Sequence, residues 1–374
     1  MKISYIHSVC VKNDAISNSI RDEMAWLRSE GRNDVRLFAY ECDYADLPFT
    51  QVSNLGDIAF DQHFQSSNLV VFHFGIYYPL FNLLAITPKG AKRLVIFHNI
   101  TPKQFVSVQN HLTIDKSFRQ LSNIMFADHV ACVSQTNFAV LQTAGIHTPA
   151  TVIPLAVHSD IRMPKRKPSH LDGVVRLVFI GRFVRSKGPG ELLEALNKLL
   201  QHNRSVHLKL DMIGNLSFSD SALLEEIYTT VRAMHRSYDN CVTISIHGNA
   251  NEELKRHALR DADLFVLPTY HEGFCVPIVE ALAGGCKVLA YENSNTPAIS
   301  GGLARLVLTG DVEALSCAIS NAVEEVSSTA WKSTGIGSYT EYAQKAQQHV
   351  QQFAPENVKR RFLHFINSLL SSHL

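Results

Sequence analysis

The sequence of 374 residues lacks the features that mark several common classes of protein. No run approaches the roughly 18–20 apolar residues of a membrane-spanning helix. The opening MKISYIHSV is strand-like and does not have the apolar core or cleavage site of a signal peptide. The formal net charge is only +1, so bulk electrostatics give no argument for nucleic-acid binding. These absences predict a soluble protein, at most peripheral on the inner face of a membrane.

Cysteine pairs and metal-binding spacings are also missing. The seven Cys are scattered without Cys-x-x-Cys spacing, and none of the 18 His stands near a Cys at zinc-ligand spacing. An odd number of Cys, several of them inside apolar runs, predicts reduced thiols in a cytoplasmic protein. We therefore expect neither a disulfide framework nor a metal site.

Two phosphate-binding motifs are absent as well. The stretch GRFVRSKG has Ser186 and Gly188 where a Walker loop needs its second Gly and its hydroxyl residue. No Gly-x-Gly-x-x-Gly follows any predicted strand. The sequence thus argues against a nucleotide kinase, an ATPase and a dinucleotide-dependent enzyme.

Short apolar runs alternate with amphipathic stretches throughout, which predicts βα units on parallel sheets. The strand candidates are ISYIHS, VRLFAY, LVVFHF, RLVIFHN and HVACVS in the first half, and VRLVFIG, LKLDMIG, VTISIHG, ADLFVLP, CKVLAY and ARLVLT in the second. Between the halves, residues 153–173 combine three Pro with a cationic cluster and predict a linker. We expect two doubly wound domains, 1–157 and 158–349, with a ligand cleft between them, followed by a helical tail over 350–374 that is broken at Pro355.

The stretch HEGFCVPIVEALAGG, residues 271–285, directly follows the apolar run ADLFVLP. The run predicts a buried strand. Pro277 opens a helix, and a Gly pair ends it. Glu272 then lies in a strand-to-helix loop and Glu280 about one turn into the helix, beyond the carboxyl end of a parallel strand, where open α/β sheets bind ligands. Taken singly, either carboxylate could simply cap the helix or balance its dipole.

A second loop in the same half, GRFVRSKGPGELLEAL, carries two cations. Gly181 permits a tight turn, and Arg182 and Lys187 stand beside a helix N-terminus, which is itself an anion site. Alone, this pair is equally well explained as solvated surface charge. Together with the two carboxylates it predicts a nucleotide-sugar site, with the cations for a diphosphate and the carboxylates for ribose and sugar hydroxyls.

These residues resemble those of the GT-B, group 1 (family 4) retaining glycosyltransferases, including relatives active in bacterial surface-polysaccharide synthesis. The resemblance rests on GRFVRSKG and on HGNANEELKRHALRDADLFVLPTYHEGFCVPIVEALAGGCKVL, in which Glu272 and Glu280 form the Glu-x7-Glu motif. It implies a GT-B fold of two Rossmann-like domains, with an acceptor-side first domain, a donor-binding second domain and a C-terminal helix that packs back on the first.

The resemblance also implies roles for individual residues. Arg182 and Lys187, after Gly181, would hold the donor diphosphate, and Glu280 would hold the ribose. Glu272 would contact the donor sugar. The remaining predicted donor contacts are Gly273, the amides of Phe274, Cys275 and Val276, and a nucleobase loop of His247, Gly248 and Asn249.

Two His of the first half, His73 and His98, end neighbouring strand candidates. The segment FHNITP is similar to relatives in which the residue at the position of His98 approaches the donor sugar, so His98 is a catalytic candidate beside Glu272, Arg182 and Lys187. The acceptor-side candidates are Asp14, Asn18, His73 and Ser134, the last also being a predicted helix N-cap. The sequence departs from the family pattern at two places. IPLAVH lacks the Gly and Asp that usually follow Ile-Pro, and CVKNDAISNSI replaces the N-terminal glycine-rich loop of many relatives.

The prediction is therefore a retaining hexosyltransferase that uses GDP-mannose or a UDP-hexose, a saccharide or lipid-linked acceptor, and no cofactor or metal. The DAD at 261–263 mimics a metal-binding Asp-x-Asp but precedes its strand, at the edge opposite the ligand. Two alternatives stay open: a nucleotide-sugar 2-epimerase, and a non-catalytic protein that binds sugar nucleotides. The apolar stripe of VKRRFLHFINSLL predicts packing on the first domain, with a membrane-surface anchor as the alternative.

Overall fold

The computed structural model describes residues 1–12, 14–32, 34–216 and 219–371, which form two compact units. The first unit comprises Met1–Ala156 and the C-terminal segment from Phe353 onward, and the second comprises Val157–Gln352. Each unit is built around a parallel sheet of its own. The predicted α/β class with two doubly wound domains is confirmed.

The first unit contains nine strands within the described residues: β1 (Lys2–Ile6), β2 (Val9–Cys10), β3 (Asp34–Ala39), β4 (Glu41–Cys42), β5 (Phe49–Gln51), β6 (Leu69–Phe74), β7 (Lys92–Phe97), β8 (His129–Cys132) and β9 (Ala150–Val152). Seven of these strands form one sheet in the order β5-β3-β1-β6-β7-β8-β9, and β2 pairs only with β4. The central strand β6 is buried along its whole length, as a parallel strand covered on both faces requires. The helices are α1 (Ala15–Ser29), α2 (Leu55–Ala59), α3 (Gln62–Gln65), α4 (His111–Gln120) and α5 (Gln135–Thr143).

The second unit has six strands within the described residues: β10 (Val175–Ile180), β11 (Leu208–Gly214), β12 (Val242–Gly248), β13 (Leu264–Leu267), β14 (Lys287–Glu292) and β15 (Ala304–Leu308). The strand order is β12-β11-β10-β13-β14-β15. The order reverses at β10, so the loops that follow β10 and β13 lie side by side, at the kind of position where doubly wound sheets bind ligands. The helices are α6 (Ser169–Asp172), α7 (Pro189–His202), α8 (Ser221–Ser237), α9 (Glu252–Asp261), α10 (Val276–Ala283), α11 (Thr296–Ser300), α12 (Val312–Ser327), α13 (Thr329–Lys332) and α14 (Tyr339–Val350).

The last helix, α15 (Pro355–Ser371), packs on the first unit. The ring centroid of Phe362 lies 5.8 Å from that of Trp26 on α1, and the ring centroid of Phe365 lies 4.9 Å from that of His129 on β8. The apolar stripe of this helix is therefore covered by the first unit. The last three residues of the predicted tail lie outside the described residues. None of the described helices is long and apolar enough to cross a membrane.

The segment predicted as a linker contains a residue that belongs to the core of the second unit. Lys167, from the cationic cluster, is only 1% exposed. Its Nζ donates to the carbonyl oxygens of Arg260 at 2.9 Å and Gly284 at 2.7 Å. These carbonyls belong to the C-terminal ends of α9 and α10, where a cation is favourable because that end of the helix dipole carries partial negative charge. The linker thus joins two helix ends of the second unit.

Candidate functional site

The loops after β10 and β13 are held together by backbone contacts. The hydroxyl of Thr269 donates to the carbonyl of Ser186 at 3.0 Å, and the N–H of Tyr270 donates to the same carbonyl at 2.8 Å. Gly188 has a left-handed φ of 67°, and a Cβ there would clash with the carbonyl oxygen of Pro268. The close approach therefore requires glycine. Gly181 is not among the residues with positive φ, so the left-handed backbone position of this loop is at Gly188.

This approach brings Lys187 and Glu272 into direct contact. Nζ of Lys187 lies 2.6 Å from Oε1 of Glu272, and Glu272 is only 6% exposed. Arg182, from the same loop as Lys187, is exposed. The site therefore has a cation already paired with a carboxylate and a second cation open to solvent.

Glu280 lies on the first turns of α10 and pairs with a different cation. Nζ of Lys255, on α9, is 2.9 Å from Oε1 of Glu280 and 2.8 Å from Oε2 of Glu252. Burial raises the pKa of Glu280, and the nearby Lys255 opposes this rise. Burial also lowers the pKa of Lys255, but Glu280 and Glu252 outweigh it and raise that pKa overall. The contact therefore places a carboxyl group and an amine within hydrogen-bond distance in a mostly enclosed position.

The N-terminus of α10 has no side-chain cap. Its N-cap, Cys275, adopts a left-handed φ of 79°. Glu272 thus does not cap the helix, which was the alternative to a role in ligand binding. Asn295, only 2% exposed, donates from Nδ2 to the carbonyl of Phe274 at 2.8 Å and fixes the loop that leads into α10. Uncapped N–H groups and the positive end of the helix dipole make this end suited to an anion or a polar hydroxyl.

Of the predicted nucleobase loop, His247 and Gly248 are the last two residues of β12, and Asn249 follows the strand on the same edge of the sheet. Nε2 of His247 lies 2.8 Å from Oδ1 of Asp211, which holds the imidazole ring. Asn249 has a left-handed φ of 54°, and its Oδ1 accepts from the N–H of Leu216. Gly248 pairs in register with Gly214. The loop is therefore tied to β11 and to the residues after it.

In the first unit, His98 and His73 are hydrogen-bonded to each other. Nδ1 of His73 lies 2.9 Å from Nε2 of His98, and Nε2 of His73 lies 3.2 Å from Oε2 of Glu23. His73 is fully buried, whereas His98 is partly exposed. Burial lowers the pKa of His73 to about 3 and that of His98 well below its usual range. As a correction to the acceptor-side prediction, His73 has no surface with which to touch an acceptor, and it can act only through His98.

The other acceptor-side candidates have structural partners. Asp14 caps α1 by accepting from the N–H of Ser17 at 2.8 Å. Ser134 caps α5, as predicted, by accepting from the N–H of Asn137. Oδ1 of Asn18 accepts from the hydroxyl of Tyr44 at 2.8 Å. Contact of any of them with an acceptor stays a prediction.

The sequence analysis did not identify Lys255, Asn295 or Glu23 as site residues. Lys255 lies three positions after Glu252 on α9, a spacing typical of a surface ion pair, so the sequence did not indicate its contact with Glu280.

Asp263 of the DAD is 2% exposed, and one of its oxygens accepts from the N–H of Arg176 at 2.8 Å. Among the described residues, no group of three or more His, Cys, Asp and Glu is arranged to hold a metal ion.

Comparisons with known proteins show what the chain resembles. Residues 175–325 match the family model "Glycosyl transferases group 1". A D-inositol 3-phosphate glycosyltransferase from Corynebacterium jeikeium is 32% identical over 133 residues, which cover 35% of this chain and 31% of that protein. The chain thus matches about a third of the length of this curated relative.

Solved structures resemble the whole chain. A sucrose-phosphate synthase from Thermosynechococcus elongatus has a TM-score of 0.77 at 16% identity, and each chain is covered completely. HepE from Anabaena, solved in complex with UDP-glucose, has a TM-score of 0.73 at 15% identity and covers 98% of this chain and 100% of its own. At such identities the likeness shows the fold. The region that matches the glycosyltransferase group 1 model therefore lies in the second unit, and the chain has the GT-B fold.

Proposed function

We propose that the protein is a glycosyltransferase that moves a hexosyl group from a nucleotide sugar to a saccharide or lipid-linked saccharide, with retention of anomeric configuration. The observation that carries the proposal is the 2.6 Å contact between Lys187 and Glu272, beside the uncapped N-terminus of α10. A nucleotide sugar presents a diphosphate next to sugar hydroxyls. A cation, a carboxylate and a helix N-terminus at one position offer a partner for each of these groups.

In the proposed mechanism, the charges of the second unit stabilise the departing nucleotide. Lys187 and Arg182 bind the diphosphate, on which negative charge develops as the sugar leaves. Glu272, released from Lys187 by the phosphate, accepts from sugar hydroxyls. Glu280 keeps Oε1 on Lys255 and offers Oε2 to the ribose hydroxyls. A donor phosphate oxygen deprotonates the acceptor on the same face, so the proposal needs no protein base, no metal and no cofactor.

UDP-hexoses and GDP-mannose are the proposed donors, and the UDP-glucose complex of HepE favours UDP-hexoses. The proposed setting is bacterial surface-polysaccharide synthesis in the cytoplasm, where the protein could meet lipid-linked acceptors at the membrane surface. The seven Cys are all free thiols, which suits a reducing compartment.

A ligand screen followed by a transfer assay tests the proposal. We expect UDP- or GDP-sugars to raise the unfolding temperature, since ligands that bind only the folded state stabilise it. We also expect release of nucleoside diphosphate that requires acceptor and persists in EDTA. Release or epimerisation without acceptor would favour the 2-epimerase alternative. Binding without any turnover would favour the non-catalytic one.

The two cations provide a further test of the diphosphate assignment. Lys187→Ala and Arg182→Ala should each weaken binding of UDP or GDP more than binding of the matching nucleoside, because a charge-assisted hydrogen bond contributes ~1.5–3 kcal/mol. Calorimetry compares the two ligands. Equal losses for diphosphate and nucleoside would contradict the assignment.

A further inference from the structure

A buried hydrogen-bonded chain leads from α1 to the partly exposed His98. Glu23, only 4% exposed, accepts from the Ser19 hydroxyl through Oε1 at 2.7 Å and contacts Nε2 of His73 through Oε2 at 3.2 Å. Nδ1 of His73 contacts Nε2 of His98 at 2.9 Å. Both ring nitrogens of His73 and Nε2 of His98 each have one partner in this chain. The position of a single proton at Glu23 therefore determines the donor and the acceptor at every later step.

We propose that Glu23 and His73 are positioning residues that set the tautomer of His98 and thereby decide whether its outer nitrogen, Nδ1, donates or accepts. This inference rests on the proposed function in one respect only, which is that the hydrogen-bond partner of His98 Nδ1 is a sugar hydroxyl of the donor. Glu23 and His73 are 50 positions apart, so no local sequence pattern indicates their contact.

The direction of the chain follows from the protonation state of Glu23. When Glu23 is protonated, Oε2–H donates to His73 Nε2, His73 Nδ1–H donates to His98 Nε2, and His98 carries its proton on Nδ1. When Glu23 loses its proton to solvent, His73 Nε2–H donates to the carboxylate, Nδ1 accepts from His98 Nε2–H, and His98 Nδ1 becomes an acceptor. The His rings stay neutral in both states, which their burial requires.

The surroundings favour the protonated state at neutral pH. Burial raises the pKa of Glu23 to about 8, and nearby Asp22 adds to the rise, while the hydroxyl groups of Ser19 and Tyr5 oppose it. Within the described part of the chain, no Lys or Arg forms an ion pair with Glu23. The ionisable groups that face Glu23 and His73 are Tyr5 and His7 from β1 and its end, Asp14 and Asp22 from the N-cap and body of α1, Tyr78 after β6, and His98 after β7. His98 is therefore an Nδ1–H donor below about pH 8.

Glu23→Gln separates this relay from simple packing. The Ser19 hydroxyl holds the amide oxygen at the Oε1 position, so the amide nitrogen donates to His73 as the protonated acid does. Nitrogen-15 NMR of the histidines in the ligand-free protein should show His98 protonated on Nδ1 below the Glu23 pKa of about 8 and on Nε2 above it. In Glu23→Gln it should stay on Nδ1 at both pH values. An unchanged His98 tautomer across pH in the wild type, or the same change in both proteins, would overturn the proposal.

Kinetics give the second readout. Glu23→Leu should lower kcat about tenfold with little change in donor KM, the loss expected for one hydrogen bond that matters at the transition state. Glu23→Gln should restore most of kcat and remove the fall in rate at high pH. Glu30→Gln, an exposed change just after α1, is the matched control and should keep the wild-type profile. If no glycosyl transfer is found at all, the proposed function fails, and the NMR result still decides the relay.

Discussion

Glu272 and Glu280 have different partners in the free protein, and this difference predicts different effects of their substitution. Glu280→Gln should weaken binding of free UDP or GDP about tenfold or more, because a charged hydrogen bond to the ribose contributes ~1.5–3 kcal/mol. Glu272→Gln should leave that binding nearly unchanged, since it also frees Lys187 for the phosphates, and should lower kcat. Calorimetry and kinetics measure both variants.

An exposed glutamate on α8, Glu225, provides the control for these two substitutions. Glu225→Gln should change neither affinity nor rate. If Glu272→Gln weakens binding of the free diphosphate as much as Glu280→Gln does, the assignment of sugar to one carboxylate and ribose to the other is wrong.

The contact between Lys255 and Glu280 predicts energetic coupling that does not depend on any activity. Lys255→Met should destabilise the protein because it leaves the buried carboxylate of Glu280 without its cation. The double variant with Glu280→Gln should recover part of that loss, with a coupling energy of about 0.5–3 kcal/mol, the range for residues in contact. Urea unfolding of the four proteins measures the cycle. Strictly additive effects would mean that the two side chains do not interact in solution.

At the scale of elements, α15 is expected to stabilise the first unit through its apolar face. Phe362 is 2% exposed and packs on Trp26. Phe362→Ala should cost about 3–5 kcal/mol, as truncation of a buried Phe does. Phe60→Ala is the matched control, because Phe60 belongs to the same unit and is 90% exposed. A loss for Phe362→Ala no larger than that for Phe60→Ala would contradict the observed packing.

Also at this scale, the main strands were predictable, whereas the edge strands β5 and β9 were not. The inner strands bury both faces and so appear in the sequence as continuous apolar runs. Strands β5 and β9 have three residues each and no buried position, so their pairing comes from the neighbouring strand and not from an apolar pattern. The linker prediction placed Lys167 outside the core, because a buried lysine is rare unless its ammonium is paired. The partners of Lys167 come from distant segments, so the local sequence does not show them.

At the scale of the whole molecule, the buried histidines predict loss of stability in acid. Burial lowers the pKa of His7 from its ordinary 6.5 to about 4 and that of His73 to about 3. Below pH 6.5 the unfolded chain therefore binds protons that the folded chain excludes, so stability is present above this pH and falls as the pH drops towards the folded values. Each such histidine contributes a slope of up to about 1.4 kcal/mol per pH unit.

Urea unfolding between neutral pH and pH 4 tests this expectation. His7→Gln should reduce the slope of stability with pH. His364→Gln, an exposed change on α15, should leave the slope unchanged. An equal slope in all three proteins would show that His7 is not held neutral by the fold.

The sequence by itself determined the two α/β domains and the placement of Glu272, Glu280 and Lys187 in loops or first turns after strands. Those features depend on local apolar runs, on Pro and Gly, and on spacing within one segment. Only the tertiary structure decided which side chains meet. The contacts Lys187–Glu272, Lys255–Glu280 and Glu23–His73 join residues 85, 25 and 50 positions apart. They arise because the order of strands in each sheet brings distant loops and helices together, and local sequence does not encode that order.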